Sequence, residues 1–188
     1  MERPRDMTRN RRTLLALLVA VVAATLSAVA PSGPAQASST SFQTRIINQG
    51  SGKCLDVTAE DDYYAAHARV QQYHCTGALE QSWTVWETND DGCYPYCPHW
   101  TIQSRRSLMC MEVLNADLGN GAQVDQVPCT GVAWQLWRPI SLDGGATQFL
   151  INVYTGKCLD LDNGSKADHA RIQQWDCNWS TNNQKWRM

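Results

Sequence analysis

Hydrophobic and polar residues alternate in short runs along most of this chain. In residues 54–57, Leu55 and Val57 share one face, which we expect to point inward, and Asp56 lies on the other. Residues 110–113 and 158–161 repeat the pattern, with an acid between two apolar residues. Each run therefore predicts a short β-strand whose aliphatic side chains face the core and whose acid faces outward.

Other runs favour the same class of structure. Gln173 and Trp175 fall on one face of a predicted strand and Ile172 on the other. No segment shows a sustained apolar stripe of helical period. Clusters of Gly, Asn and Asp separate the runs. Further strands are predicted at residues 44–48, 83–86, 100–103 and 149–153. The pattern predicts an all-β chain of about twelve short strands.

The chain contains an internal repeat. GKCLDV at residues 52–57 returns as GKCLDL at 156–161, and HARVQQYHC at 67–75 returns as HARIQQWDC at 169–177. A looser middle copy has CMEV followed by GAQVDQVPC. Each copy ends in Gln-x-Trp, whose glutamine is residue 81, 135 or 184. The repeats span residues of about 42–88, 99–139 and 147–188.

The N-terminal segment has the pattern of a secretory signal peptide. Five arginines lie within the first 12 residues, an uncharged and mostly apolar run fills 14–30, and an Ala-x-Ala site ends at Ala37. A membrane anchor is the competing interpretation, but 17 residues is at the short limit for a span. Arg11-Arg12 leaves general and twin-arginine export both open. We expect a secreted protein that no longer contacts the membrane after cleavage.

Removal of residues 1–37 leaves 38–188, a length that suits one domain. It takes away five arginines and two acids, so the net charge falls from −2 to −5. A basic nucleic-acid footprint is absent, and we expect no nucleic-acid partner.

All 8 cysteines follow the predicted leader, and an even number in an exported chain indicates disulfides. The repeat pairs them within each copy and leaves one close pair in the loop that lengthens the first period. The expected bonds are Cys54–Cys75, Cys110–Cys129, Cys158–Cys177 and Cys93–Cys97. Cys93 and Cys97 could supply half of a zinc site, but no second close pair stands near them. We predict neither metal nor cofactor.

Three copies, each with a cysteine pair and a terminal Gln-x-Trp, resemble the ricin-type β-trefoil lectin domain of secreted bacterial proteins. The resemblance covers residues 42–188. It implies twelve strands, six in a barrel and six in three hairpins that cap it. It also places Trp83, Trp137 and Trp186 in the core around a pseudo-threefold axis.

The resemblance implies a sugar site in the third copy. An aromatic ring can stack on the apolar C–H face of a sugar, and a carboxylate can accept hydrogen bonds from sugar hydroxyls. Asp160 is then the acceptor and Trp175 the platform. Asn183 binds a hydroxyl, Gln184 orients the acid, and Gln173 lies at the edge of the site.

The first copy carries Asp56, Gln71, Tyr73 and Gln81 at the corresponding positions, but Glu80 stands where the third copy has Asn183. An ionised glutamate cannot donate a hydrogen bond, and it adds negative charge near the acid. We expect a weaker carbohydrate site here.

The middle copy departs most. Val127 replaces the aromatic residue, and Glu112 and Asp125 put two acids on one pocket. We expect no sugar there. His67 and His169 occupy equivalent positions, which we interpret as duplicated turn residues.

These observations predict a secreted, monomeric, non-enzymatic lectin that reversibly binds galactose-type sugars or plant or cell-wall polysaccharide. The repeats leave no room for a catalytic domain. The alternative is a protein-binding trefoil, such as an inhibitor, adhesin or toxin subunit, whose partner contacts Tyr94 and Tyr96 in the inserted loop.

Overall fold

The computed structural model describes residues 40–89 and 98–188, which form thirteen β-strands joined by turns and short 3-10 segments. The strands are β1 (Thr40–Thr44), β2 (Ile47–Asn48), β3 (Cys54–Val57), β4 (Val70–Tyr73), β5 (Trp83–Asn89), β6 (Pro98–Ser104), β7 (Cys110–Val113), β8 (Val124–Val127), β9 (Leu136–Ser141), β10 (Thr147–Asn152), β11 (Cys158–Leu161), β12 (Ala170–Trp175) and β13 (Trp186–Arg187). The predicted signal peptide and the inserted loop with Cys93, Tyr94, Tyr96 and Cys97 lie outside the described residues.

The strands build a barrel capped by hairpins. Strands β5, β6, β9, β10 and β13 pair in succession, β13 pairs with β2, and β1 pairs with β5, so the β1–β2 segment completes the ring. Three antiparallel hairpins, β3–β4, β7–β8 and β11–β12, form the cap. The predicted all-β trefoil is confirmed.

One predicted strand is wrong in detail. Residues 44–48 were expected to form a single strand, but the chain leaves the ladder at Arg45 and Ile46. Ile46 is fully buried in the core instead. This break produces two strands, β1 and β2, and accounts for a count of thirteen in place of twelve.

The Gln-x-Trp tryptophans form the centre of the core. Trp83, Trp137 and Trp186 are fully buried. Each indole Nε1 donates a hydrogen bond to a backbone carbonyl of the first cap strand of its own repeat, at 3.0 to 3.2 Å. A buried indole N–H without an acceptor would be costly. Because all three N–H groups are hydrogen-bonded, the three tryptophan rings can fill the core without that cost.

A second set of glutamines ties neighbouring repeats together. The side-chain amide of Gln72 donates to the carbonyls of Ser165 and Ala167, which lie 93 and 95 residues away. Gln126 and Gln174 make the equivalent pairs of bonds in the other two copies. All three glutamines are fully buried. Hydrophobic–polar alternation along a strand could not predict that these glutamines connect repeats, because it describes one strand at a time.

Disulfides join Cys54 to Cys75, Cys110 to Cys129, and Cys158 to Cys177, the pairing that the repeat predicts. Each closes the cap hairpin of one repeat.

Among the described residues, the helical segments are too short and too polar to cross a bilayer.

Candidate functional site

Each cap hairpin carries one acid, and cavities lie beside the acids of the first and third repeats. In each hairpin an acid on the first strand lies directly opposite a polar residue on the second: Asp56 opposite Gln71, Glu112 opposite Asp125, and Asp160 opposite Gln173. The glutamine of Gln-x-Trp approaches each acid from the following turn. The same three elements therefore position the acid in every copy, and the side chains around it make the copies different.

In the third repeat, two amides hold Asp160. Gln173 Nε2 donates to Oδ1 at 3.0 Å, and Gln184 Nε2 donates to Oδ2 at 3.0 Å. Gln184 is itself fixed, because its Oε1 accepts from the Asn178 backbone N–H at 2.7 Å and its Nε2 also donates to the Asp176 carbonyl. Both carboxylate oxygens thus keep further lone pairs for a ligand.

The prediction that this acid faces outward is only half right. Asp160 lies on the face opposite Leu159 and Leu161, yet it is only 5% exposed, as are Asp56 and Glu112. The side chains of Gln173 on β12 and Gln184 in the turn before β13 lie against its two oxygens. Period-two alternation reports the face of a strand but not what packs against that face.

Trp175 supplies an aromatic wall. It is 44% exposed, and it lines the same pocket as Asp160, Gln173, Asn183 and Gln184. The structure therefore brings together all five residues that the sequence assigns to this site. The cavity has a volume of about 360 Å³, which is in the size range of small-molecule sites.

Five further polar side chains line this pocket and were not predicted. They are Asp162, Asn163, Arg171, Asn178 and Thr181. Arg171 donates to the Gln173 amide oxygen and its Nε lies 3.8 Å from Asp162. Arg171 lies on β12, where strand alternation places it on the face of Gln173 and Trp175. The other four lie outside the strands, so alternation could not have indicated them.

Burial raises the pKa of the Asp160 carboxyl above its ordinary value of 3.8, while the hydrogen bonds from Gln173 and Gln184 act in the opposite direction. The two amides compensate in part for the loss of water around the charge. The amides favour the ionised form, which is the stronger hydrogen-bond acceptor.

The first-repeat pocket has a related frame. Gln71 and Gln81 donate to the two oxygens of Asp56 at 2.9 and 3.0 Å. Tyr73 lines the cavity, which at about 170 Å³ is the smaller of the two. The four residues predicted for the weaker site therefore lie together.

Three more side chains narrow this pocket. Tyr63 lines it with its hydroxyl 3.5 Å from Glu80, and His169 reaches in from the third repeat and packs 4.8 Å from the Tyr73 ring. Burial raises the pKa of Asp56, and the Glu80 charge raises it further. The sequence could not indicate His169, because its contact with Gln71 spans 98 residues.

The middle repeat lacks both an amide partner on its second cap strand and an aromatic residue at the position of Trp175. Asp125 stands opposite Glu112, Val127 replaces the ring, and Gln135 donates to Glu112 at 3.1 Å. His67 reaches in from the first repeat, with Nδ1 2.8 Å from Asp125. His169 thus lines the first-repeat pocket and His67 contacts an acid of the middle repeat, roles that the turn interpretation did not include.

A β-trefoil with an acid held by a Gln-x-Trp glutamine in each repeat defines a lectin-type protein. Models of the family described as "Ricin-type beta-trefoil lectin domain-like" match residues 35–127, 96–175 and 133–188. The chain belongs to this family.

Solved structures support the assignment. The designed threefold-symmetric protein ThreeFoil is 30% identical with a TM-score of 0.66, and the match covers 77% of this chain and 96% of that one. An exo-beta-1,3-galactanase from Clostridium thermocellum is 25% identical with a TM-score of 0.66, and the match covers 82% of this chain but only 30% of the enzyme.

A ricin B-like lectin of Macrolepiota procera, solved in complex with lactose, is 20% identical with a TM-score of 0.61; the match covers 78% of this chain and 93% of that lectin. At this identity the likeness establishes the fold alone. A search of curated proteins returns no match.

Proposed function

We propose that this protein is a secreted lectin that reversibly binds galactose-type sugars, or plant or cell-wall polysaccharides containing them, through its third-repeat pocket. The observation that carries the proposal is the position of Asp160, a buried carboxylate fixed by two amides beside an exposed tryptophan. The lactose bound by the Macrolepiota procera lectin and the galactan-directed enzyme among the structural relatives support this class of sugar.

The pocket offers the two contacts that a neutral sugar requires. The Trp175 face can cover the C–H side of a pyranose ring and remove apolar area from water. Asp160 can accept two hydroxyl hydrogens with charge-assisted strength, and the Asn183 side-chain amide can both donate and accept. Asp160 is held by the Gln173 and Gln184 amides, so its side chain loses little entropy on binding.

We expect the single site to be weak. An open cavity with one stacking ring and a few hydrogen bonds gives a dissociation constant on the order of millimolar, or about −4 kcal/mol. A polysaccharide that reached the first-repeat pocket as well would bind more tightly through effective concentration. The expected mechanism is binding without a covalent step.

The same proposal includes export and architecture. A signal peptide at residues 1–37 and a monomeric lectin domain at 38–188 fit a protein whose three observed disulfides persist in an oxidising compartment.

A glycan array probed with the purified protein tests the sugar class. The proposal predicts signals for glycans with terminal galactose or for galactan-type polymers. An array on which these glycans stay at background would contradict it, whether or not other sugars bind.

Isothermal titration calorimetry with the best array ligand tests the site. Trp175→Ala removes the platform, and a loss of about 1.5 to 3 kcal/mol corresponds to roughly 10- to 100-fold weaker binding. Asp160→Asn removes the charge but keeps the shape, and a hydrogen bond to a charged group is worth about 1.5 to 3 kcal/mol.

The matched control is Trp86→Ala. Trp86 is 40% exposed, close to the 44% of Trp175, but it lies on barrel strand β5 and lines neither sugar pocket. This variant should bind like the parent. If Trp175→Ala and Asp160→Asn also bound like the parent, the sugar would not lie in the third-repeat pocket.

A further inference from the structure

The middle repeat brings together three side chains of types that ligate metals. One nitrogen of His67 and one oxygen each of Glu112 and Asp125 lie within 4.8 Å of one another. Glu112 and Asp125 are almost completely buried, whereas the imidazole, with 57% of its side chain exposed, forms the open side of the cluster. An ion could therefore enter past the histidine and meet two carboxylates behind it.

One buried oxygen in this cluster has no partner. Asp125 is 1% exposed, and its Oδ2 bonds His67 Nδ1 at 2.8 Å, but its Oδ1 has no hydrogen-bond donor among the described residues. A buried carboxylate oxygen without a donor is costly. Asp125 thus has vacant lone pairs on a side chain that belongs to the cluster with His67 and Glu112.

The sister repeats explain why this donor is missing. In the first and third copies a glutamine faces the acid and donates to it, from Gln71 to Asp56 and from Gln173 to Asp160. The middle copy replaces that donor with an acceptor. Asp125 and Glu112 consequently repel each other where their relatives share a hydrogen bond, and burial together with Glu112 raises the pKa of Asp125 to about 6.

The histidine adds a nitrogen to this pair of oxygens. The positions equivalent to His67 are Gly121 and His169, and all three adopt a positive φ. Glycine adopts this backbone without strain, whereas a histidine there is disfavoured. His169 faces a neutral amide, that of Gln71. His67 alone of the three faces a carboxylate.

We propose that His67, Glu112 and Asp125 form a binding site for a divalent first-row transition metal ion of the Zn²⁺ type. An imidazole nitrogen with two carboxylates suits such an ion, and water would complete its coordination. Ca²⁺ takes six to eight oxygen ligands, so this cluster favours zinc over calcium. The ion neutralises the facing carboxylates and joins the first repeat to the second.

Calorimetry with zinc chloride tests the proposal. The purified protein, without a histidine tag and after dialysis against a chelator, is titrated with zinc at about pH 7.5, because metal affinity falls at low pH. We expect binding of one Zn²⁺ ion, and a rise of roughly 5 °C in Tm at about a hundredfold excess over Kd. Calcium chloride should give neither effect.

Two variants locate the ion. Asp125→Gln installs the residue of the sister repeats, and His67→Gly installs the residue that the middle copy has at its own equivalent position. Both variants carry a residue that another repeat of this fold has at the equivalent position. Cooperative thermal unfolding in the absence of metal checks that each variant folds. Each should weaken zinc binding by at least roughly 100-fold, the upper end of what loss of an outer-shell partner costs.

His169→Gly is the matched control. It makes the same change of residue at a threefold-related position, and it should keep the zinc affinity of the parent. Absence of zinc binding by the parent protein would overturn the proposal. Zinc binding that survives unchanged in both Asp125→Gln and His67→Gly would overturn it too, because the ion would then lie elsewhere.

Discussion

Replacing Asp125 with glutamine should stabilise the metal-free protein. The wild-type side chain is buried opposite Glu112 and bonds His67 through Oδ2, while its Oδ1 has no donor in the part of the chain that the structure describes. Glutamine keeps an acceptor and adds an N–H₂ group that can donate to Glu112, as Gln173 does to Asp160. The change therefore removes a repulsion and supplies a hydrogen bond.

The magnitude follows from the pKa of Asp125. A rise from 3.8 to about 6 means that ionisation of this group costs the folded state about 3 kcal/mol, since one pKa unit is about 1.4 kcal/mol. Because the pKa is raised on folding, the carboxyl favours the folded state most at a pH below 3.8, and this contribution disappears as the pH rises through about 6. Asp125→Gln should thus gain about 3 kcal/mol above pH 6 and almost nothing at about pH 4.

Urea unfolding in the presence of a chelator measures this difference. Asp168→Asn is the opposing control, because Lys53 and His74 lower the pKa of Asp168 to about 2, so loss of its charge should destabilise rather than stabilise. If Asp125→Gln were no more stable than the parent at about pH 7.5, or gained as much at about pH 4, the assumed repulsion between Asp125 and Glu112 would be incorrect.

Three more outcomes follow from the geometry. Glu80→Asn in a Trp175→Ala background should strengthen sugar binding at the first-repeat pocket by roughly 5- to 10-fold, one hydrogen bond's worth, and calorimetry that shows no gain would count against a shared binding mode. Sugar affinity should be flat near neutrality and decline on acidification at a pH above 3.8, because burial raises the pKa of Asp160; an affinity that is constant down to that pH would mean that the charge is not used. Replacing both Cys158 and Cys177 with alanine opens a loop with a sequence separation of 19 and should cost about 3 kcal/mol of unfolding free energy, and a urea midpoint equal to that of the parent would show that the staple is dispensable.

The fold was predictable because the same sequence pattern occurs three times in the chain. A single Gln-x-Trp or cysteine pair would have been weak evidence, but the threefold register specified which cysteines pair and placed Trp186 and its equivalents in the core. The hairpin register follows from the same repeat, since Asp160 and Gln173 occupy matched positions in strands that face each other.

What the sequence could not reveal are the contacts between repeats. His67 meets Asp125 across 58 residues, and Gln72 meets Ala167 across 95. Such contacts depend on how the three hairpins converge, as in the direct pairing of β12 with β4. Residue periodicity cannot predict that convergence. It also predicted an outward-facing Asp160, which neighbouring side chains bury almost completely.

Crystals of the protein soaked with its strongest array ligand would test the central claim most directly. The account predicts electron density for a sugar ring stacked on Trp175, with hydroxyls within hydrogen-bond distance of Asp160 and Asn183. The account would be contradicted if a sugar at full occupancy were bound elsewhere on the protein and the third-repeat pocket held only water.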